Sequence, residues 1–312
     1  MKKVATKLKA YLFAAIILIC ALLLLETLAL FNSYDYSANY FNSSPAVSLI
    51  KALIAVSTIA FLSSIIFIPK GELNGTSPMT LAALIPSALI GTIFAAAGVI
   101  FLLGGAKVKA VTSLFTGLDN TYSGVLIAGG FLLIVSSMYF FMNFASEKKG
   151  VKLPQTILGF VAPLSVTLVV IAGHFDTSVS MNSDAKVMFQ VAAVFFMLWF
   201  LTELRTLVGK PAPRAYFALG LISSLLSAAA SIPFIIAFCA GIINKPIFPT
   251  YIIYTALAFA MFIYTFARTA VFVSARAAFE RIAPPEIEPE LETEKENEEE
   301  NAEENGEKDE KI

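Results

Sequence analysis

A chain of 312 residues that is 57% hydrophobic and 14% charged departs far from ordinary soluble domains, which run at about 45–50% apolar and about 25% charged. Its formal charge of −1 conceals a division: residues 284–312 hold 14 acidic residues and 3 lysines, net −11, leaving +10 on residues 1–283. This basic, apolar body has too much hydrophobic surface for one water-soluble core, and its single His and two Cys exclude a disulfide framework or a thiol-rich metal site.

A transmembrane helix needs about 20 mostly apolar residues. Eight runs of that kind follow one another at 11–31, 47–68, 80–103, 122–144, 154–173, 185–202, 215–243 and 248–275. They are long and continuous, whereas barrel strands would alternate over segments of about ten residues. The expected fold class is therefore all-α: an integral membrane bundle of about eight transmembrane helices spanning residues 1–283, with a disordered acidic tail at 284–312.

The basic start MKKVATKLKA leads into an apolar run too long for a typical signal-peptide core, and no A-x-A site follows. ILIC at 17–20 matches a lipobox only loosely, because Ile19 stands where a small residue belongs. An uncleaved first helix is expected. With the N-terminus inside, Lys and Arg in the connecting segments divide thirteen to four in favour of the cytoplasmic side. Eight spans then place both termini in the cytoplasm of a cell with the protein in its plasma membrane.

The first outer connection, NSYDYSANYFNSSPA, has no Lys or Arg and four aromatics, suiting a loop against the headgroups. Asn42-Ser43-Ser44 and Asn74-Gly75-Thr76 match a weak glycosylation tripeptide, the second on the cytoplasmic side. In residues 104–121, Val108, Val111, Phe115 and Leu118 recur at helical spacing, which suggests a short interfacial helix beside the alternative of an ordered loop. Pro86, Pro163 and Pro233 sit inside the third, fifth and seventh runs and are expected to kink them.

The seventh run is longer than a straight span needs, so it must tilt, bend at Pro233 or protrude. Gly220, Ser224 and Ala228 form one four-residue repeat, and Ser223, Ser227 and Ser231 another. Small residues at that spacing let helices approach closely; the sharper alternative is a polar lining for a pathway. Cys20 and Cys239 lie in apolar runs and read as small hydrophobes. The tail is Pro-led, acidic and free of aromatics, a composition that stays solvated or docks a basic cytoplasmic protein.

The reactive groups of familiar membrane enzymes are missing. There is no H-E-x-x-H, no P-loop, no G-x-G-x-x-G and no G-x-S-x-G elbow. Asp176 and Asp184 fall in an outer loop, not at membrane depth. The oxygen-rich stretch Asp176, Ser178, Ser180, Asn182, Ser183 and Asp184 lacks calcium-loop spacing, and Asn182-Ser183-Asp184 reads as a helix N-cap. No catalytic residue, cofactor, metal site or nucleic-acid partner is expected.

Charges at membrane depth are costly and point to function or to structural pairing. Glu26 and Lys51 lie near the outer ends of the first two runs, at similar depth, and are expected to pair, with snorkelling of each to the interface as the alternative. Glu203 and Arg205 stand two residues apart, roughly 200° around a helix, so they need different partners. Glu203 shares a face with Ala192, Phe196 and Trp199, and Arg268 reaches the same level in the last run. A Glu203–Arg268 pair is therefore expected, as a clamp or as part of a solute or proton site. Arg205 has only headgroups or water, and Gln190 is a candidate interhelical hydrogen-bond partner. Ser224, Ser227 and Ser231 complete the candidate polar positions.

The run MNSDAK…FQVAAVFFMLWFLTELRTLVGKPAPRAYFAL resembles a segment of uncharacterised multi-pass membrane proteins of Gram-positive bacteria. The likeness rests on MNS before the sixth run, E-L-R at its end and the basic Pro-containing turn after it, and covers about a sixth of the chain. It implies a bacterial membrane protein and carries over no catalytic residue. Three function classes follow: a non-enzymatic sensor, regulatory or assembly component; a small-solute transporter with a polar path between the sixth, seventh and eighth helices; and, least supported, an enzyme.

Overall fold

In lipid no water satisfies the peptide groups, so each apolar run must close its hydrogen bonds within itself as a helix. The computed structural model describes residues 2–35, 40–67, 81–145, 153–178, 182–208, 210–241 and 251–282. Among them, the helices are α1 (Lys2–Ser33), α2 (Pro45–Phe67), α3 (Leu81–Gly105), the one-turn α4 (Lys109–Thr112), α5 (Ser123–Ala145), α6 (Leu153–Phe175), α7 (Asp184–Leu207), α8 (Pro213–Ala229), α9 (Ile232–Cys239) and α10 (Tyr251–Ile282). Eight segments are long and apolar enough to cross a membrane, with α8 and α9 together forming one of them. The chain is a multi-pass membrane protein built as an all-α bundle. The tail at 284–312, residues 146–152 and the tripeptide at 74–76 lie outside the described residues.

Several elements differ from expectation. α1 begins at Lys2, nine residues before the expected apolar run, because Lys and Ala are good helix formers and a helix need not stop at the lipid boundary. The seventh run is two helices: Ser231 leaves helical geometry with φ −126° and ψ −56°. Pro233 has no N–H to give and its ring crowds the carbonyl four residues back, so the chain breaks and restarts with Pro in the first turn of α9. By contrast α3 and α6 run unbroken through Pro86 and Pro163.

The interfacial helix expected over 104–121 is reduced to α4 and two 3-10 turns, Ser113–Phe115 and Asn120–Tyr122. Phe115 is what anchors this segment, buried with its ring 5.5 Å from that of Phe101 on α3. Between α1 and α2, β1 (Tyr34–Asp35) pairs with β2 (Tyr40–Phe41), antiparallel with Tyr34 opposite Phe41 as a small hairpin. The oxygen-rich loop serves the fold. The Thr177 N–H donates to the Gly117 carbonyl at 2.7 Å, and Lys186 Nζ donates to the Asp176 carbonyl at 2.7 Å. Ser183 caps α7 by accepting the Lys186 N–H at 3.4 Å.

The helices are layered around α8. Of the most apolar window of Pro213–Cys239, 78% is buried inside the protein, against 22% for that of Pro45–Ile66. α8 packs on α7, α10, α2 and α1, while α3, α5 and α6 form a second group joined through α10 and α7. Glycines set the closest approaches. A Cβ on Gly98 would stand 2.7 Å from the Gly130 carbonyl oxygen, and one on Gly130 would stand 2.6 Å from that of Gly98. α3 and α5 therefore touch backbone to backbone.

Candidate functional site

α7 buries the face that carries Ala192, Phe196, Trp199 and Glu203. α10 presents Tyr264 and Arg268 to it, both buried. Their meeting point is an ion pair inside the bundle. Arg268 Nη2 lies 3.0 Å from Glu203 Oε1, and Arg268 Nε donates to the same oxygen at 3.1 Å. The Tyr264 hydroxyl, one helical turn before Arg268, donates to Oε1 at 2.9 Å. Three donors thus converge on one carboxylate oxygen. The other, Oε2, is buried and makes no hydrogen bond within the protein.

Aromatic rings enclose the pair. The Trp199 ring lies 5.7 Å from Tyr264 at 78° and 5.4 Å from Tyr216. Phe140 packs on Tyr264 at 5.1 Å, edge to face. Tyr139 packs on Phe200 at 5.3 Å, again edge to face. The Trp199 indole N–H is buried without a hydrogen-bond partner. Gly220 on α8 permits this arrangement. A Cβ there would stand 2.3 Å from Thr269 Oγ1 and 3.1 Å from the Trp199 indole nitrogen. A second polar link lies one turn along α5 from Tyr139, where the Gln155 side-chain amide of α6 donates to Asn143 Oδ1.

Physically, the centre holds charge at low dielectric by pairing it and walling it with rings. It ties α7 to α10, and α8 closes over it. Chemically, it offers a buried carboxylate oxygen, Oε2, that is free to accept a hydrogen bond. Among the described residues no three His, Cys, Asp or Glu side chains gather as a metal site.

The other candidate positions scatter. Glu26 and Lys51 do not pair, which corrects the expectation from depth. Lys51 instead lies 3.8 Å from Asp184 Oδ1, with 68% of its side chain exposed. Glu26 is 2% exposed, on the inward face of α1. Depth follows from counting residues, but helix rotation decides which way each side chain faces. Arg205 is exposed, on the opposite side of α7 from Glu203. Gln190 is half-buried, and its Nε2 has no hydrogen-bond partner, so it makes no interhelical bond through that atom.

Ser224, Ser227 and Ser231 are fully buried; Ser224 donates to the Gly220 carbonyl within α8, and Ser231, at the break after α8, donates back to the Ser227 carbonyl, each at 2.7 Å. Ser223 and Ser227 hydroxyls are buried without a partner. Tyr264 is the site residue that sequence reasoning missed. Its position four residues before Arg268 on an apolar helix was the available signal.

Comparison with protein-family models, with curated proteins and with solved structures finds no match to this chain.

Proposed function

We propose that this protein is a non-enzymatic component of the plasma membrane, a sensor, regulator or assembly partner, with both termini in the cytoplasm. The acidic tail at 284–312 is its contact for a basic cytoplasmic protein. The observation that supports this reading is the close packing where α7, α8 and α10 meet. Ser224 turns to the backbone of α8, Ser223 and Ser227 lie buried, Ser231 beyond the end of α8 donates back to Ser227, and Gly220 brings α8 against Thr269 and Trp199 without room for a methyl group. The Glu203–Arg268 pair acts there as a clamp on a packed core. The resemblance of the stretch around α7 to membrane proteins of Gram-positive bacteria agrees with a bacterial plasma membrane.

Two measurements test the proposal. Full-length chain and a chain ending at residue 283 are purified after crosslinking in native membranes. A basic cytoplasmic protein recovered with the first and lost with the second is the expected result. In parallel, sealed vesicles carrying wild type or Glu203→Gln are assayed for solute accumulation. Uptake that depends on the protein and is abolished by the substitution would overturn the non-transport reading.

A further inference from the structure

The buried carboxyl of Glu26 has a different setting from that of Glu203. α1 carries it inward, 2% exposed, and its Oε2 makes no hydrogen bond within the protein. Beside it lies a cavity of about 230 Å³ between α1, α2 and α7. Leu226 and Phe234, both buried, form its floor, from α8 and α9 on either side of the break at Ser231. Val187 and Val191 on α7 line it and are exposed on the bundle surface, so its mouth faces lipid.

The polar groups of this cavity are few and placed together. Lys51 and Asp184 also line it, 3.8 Å apart. Asp184 Oδ2 accepts the Phe41 N–H at 2.8 Å, which ties the hairpin to the start of α7. Lys51 is the exposed member, and Glu26 the buried one. With both carboxylates ionised, the three side chains sum to one negative charge. A carboxylate buried beside apolar walls without a partner is costly. Lys51 faces Asp184 and the outside of the bundle, so no side chain among the described residues donates to Glu26 Oε2, and a bound ligand can. An ammonium supplies both the missing charge and N–H donors, and an apolar stem suits the walls.

We propose that this cavity is a binding site for a lipophilic primary ammonium. Its amine meets the Glu26 carboxylate and its apolar stem lies against Leu226 and Phe234, with Lys51 and Asp184 at the entrance. A cavity of about 230 Å³ with an open mouth suits a small amine or the end of a longer molecule, not a whole lipid. That matches a short alkylamine, or the head and first carbons of a longer amphiphile. The same chemistry has two sources, a free lipophilic amine and the amine of an aminophospholipid entering from the bilayer. The site uses none of the residues of the Glu203 centre and stands independently of the tail's role.

The test uses the full chain in nanodiscs of phosphatidylcholine, with octylammonium, octanol and octanoate as probes of equal stem. Binding is read from the shift in the thermal unfolding midpoint across a titration. Wild type should bind octylammonium about ten-fold or more tightly than octanol, the ratio expected for a charge-assisted hydrogen bond, and octanoate least. Glu26→Gln should remove the preference for the amine. Val187→Trp, which fills the mouth, should weaken binding of the amine. Equal binding of octylammonium and octanol by wild type would overturn the proposal, and so would a preference retained in Glu26→Gln. If Glu26→Gln does not fold, the three-probe comparison on wild type and the Val187→Trp variant decide alone. Adding phosphatidylethanolamine to the discs identifies the source. Competition with octylammonium marks the aminolipid, its absence marks a free amine, and either result accompanies binding that supports the site.

Discussion

Glu203 and Arg268 show how a single residue's worth depends on its partner. The pair is buried, with the arginine bonding one carboxylate oxygen through two nitrogens and Tyr264 adding a third donor. Removing one member of such a pair leaves the other charge uncompensated at low dielectric. Arg268→Met should therefore cost about 3–5 kcal/mol of stability, measured by unfolding in mixed detergent micelles. The double variant Glu203→Leu with Arg268→Met should recover most of that loss, since it removes both charges together. Tyr264→Phe deletes one hydrogen bond to a charged group and should cost about 1.5–3 kcal/mol in the same measurement. A double variant as unstable as the single would mean that the clamp acts through something other than charge compensation.

At the scale of elements, glycine decides how closely helices pack and proline where one of them breaks. The contact of α3 with α5 is set by Gly98 and Gly130, each facing the other's backbone. Backbone cannot swing aside as a flexible side chain can. Gly98→Ala should thus push the two helices apart and cost about 1–3 kcal/mol. Gly124, on the same helix as Gly130, has nothing within 4 Å of an added Cβ. Gly124→Ala, in the first turn of α5 and not its interior, should gain less than about 0.5 kcal/mol. Thermal unfolding of the two variants side by side checks both signs. Pro233 works differently. Its missing N–H and bulky ring end α8 at Ala229, and the short α9 carries Phe234 to the floor of the Glu26 cavity.

Across the whole molecule, burial is unequal and the rare polar groups sort with it. α8 lies at the centre and α2 at the margin, where its apolar side chains meet lipid. Two of the buried carboxylates occupy different parts of the bundle: Glu203 inside the aromatic enclosure of α7, α8 and α10, and Glu26 near the hairpin end of α1. The proposed orientation puts the hairpin end on the outer side. With Cys20 and Cys239 replaced by Ser, single cysteines at Lys3→Cys and Lys311→Cys should react with an impermeant maleimide only after lysis. Lys109→Cys should react in intact cells. Labelling of Lys3→Cys before lysis would reverse the orientation.

The apolar content and its division into long runs were enough to establish a membrane bundle of eight spans. Lipid leaves the backbone no other way to satisfy its hydrogen bonds, and that requirement is local to each run. Depth was equally legible. Glu203 and Arg268 share a level by counting residues from the ends of their runs, and the two-residue offset of Arg205 already turned it away from Glu203. Facing was not legible for the first two helices, because rotation about a helix axis is chosen by the sum of its neighbours' packing. Glu26 consequently turned inward to a cavity while Lys51 turned outward to Asp184, 133 positions along the chain from it. The small residues of α8 announced close packing, but which partner each one meets was decided only when α7 and α10 arrived beside them. Long-range pairings of this kind arise from three-dimensional packing, in which the tight fit of Gly220 against Trp199 and Thr269 is one consequence.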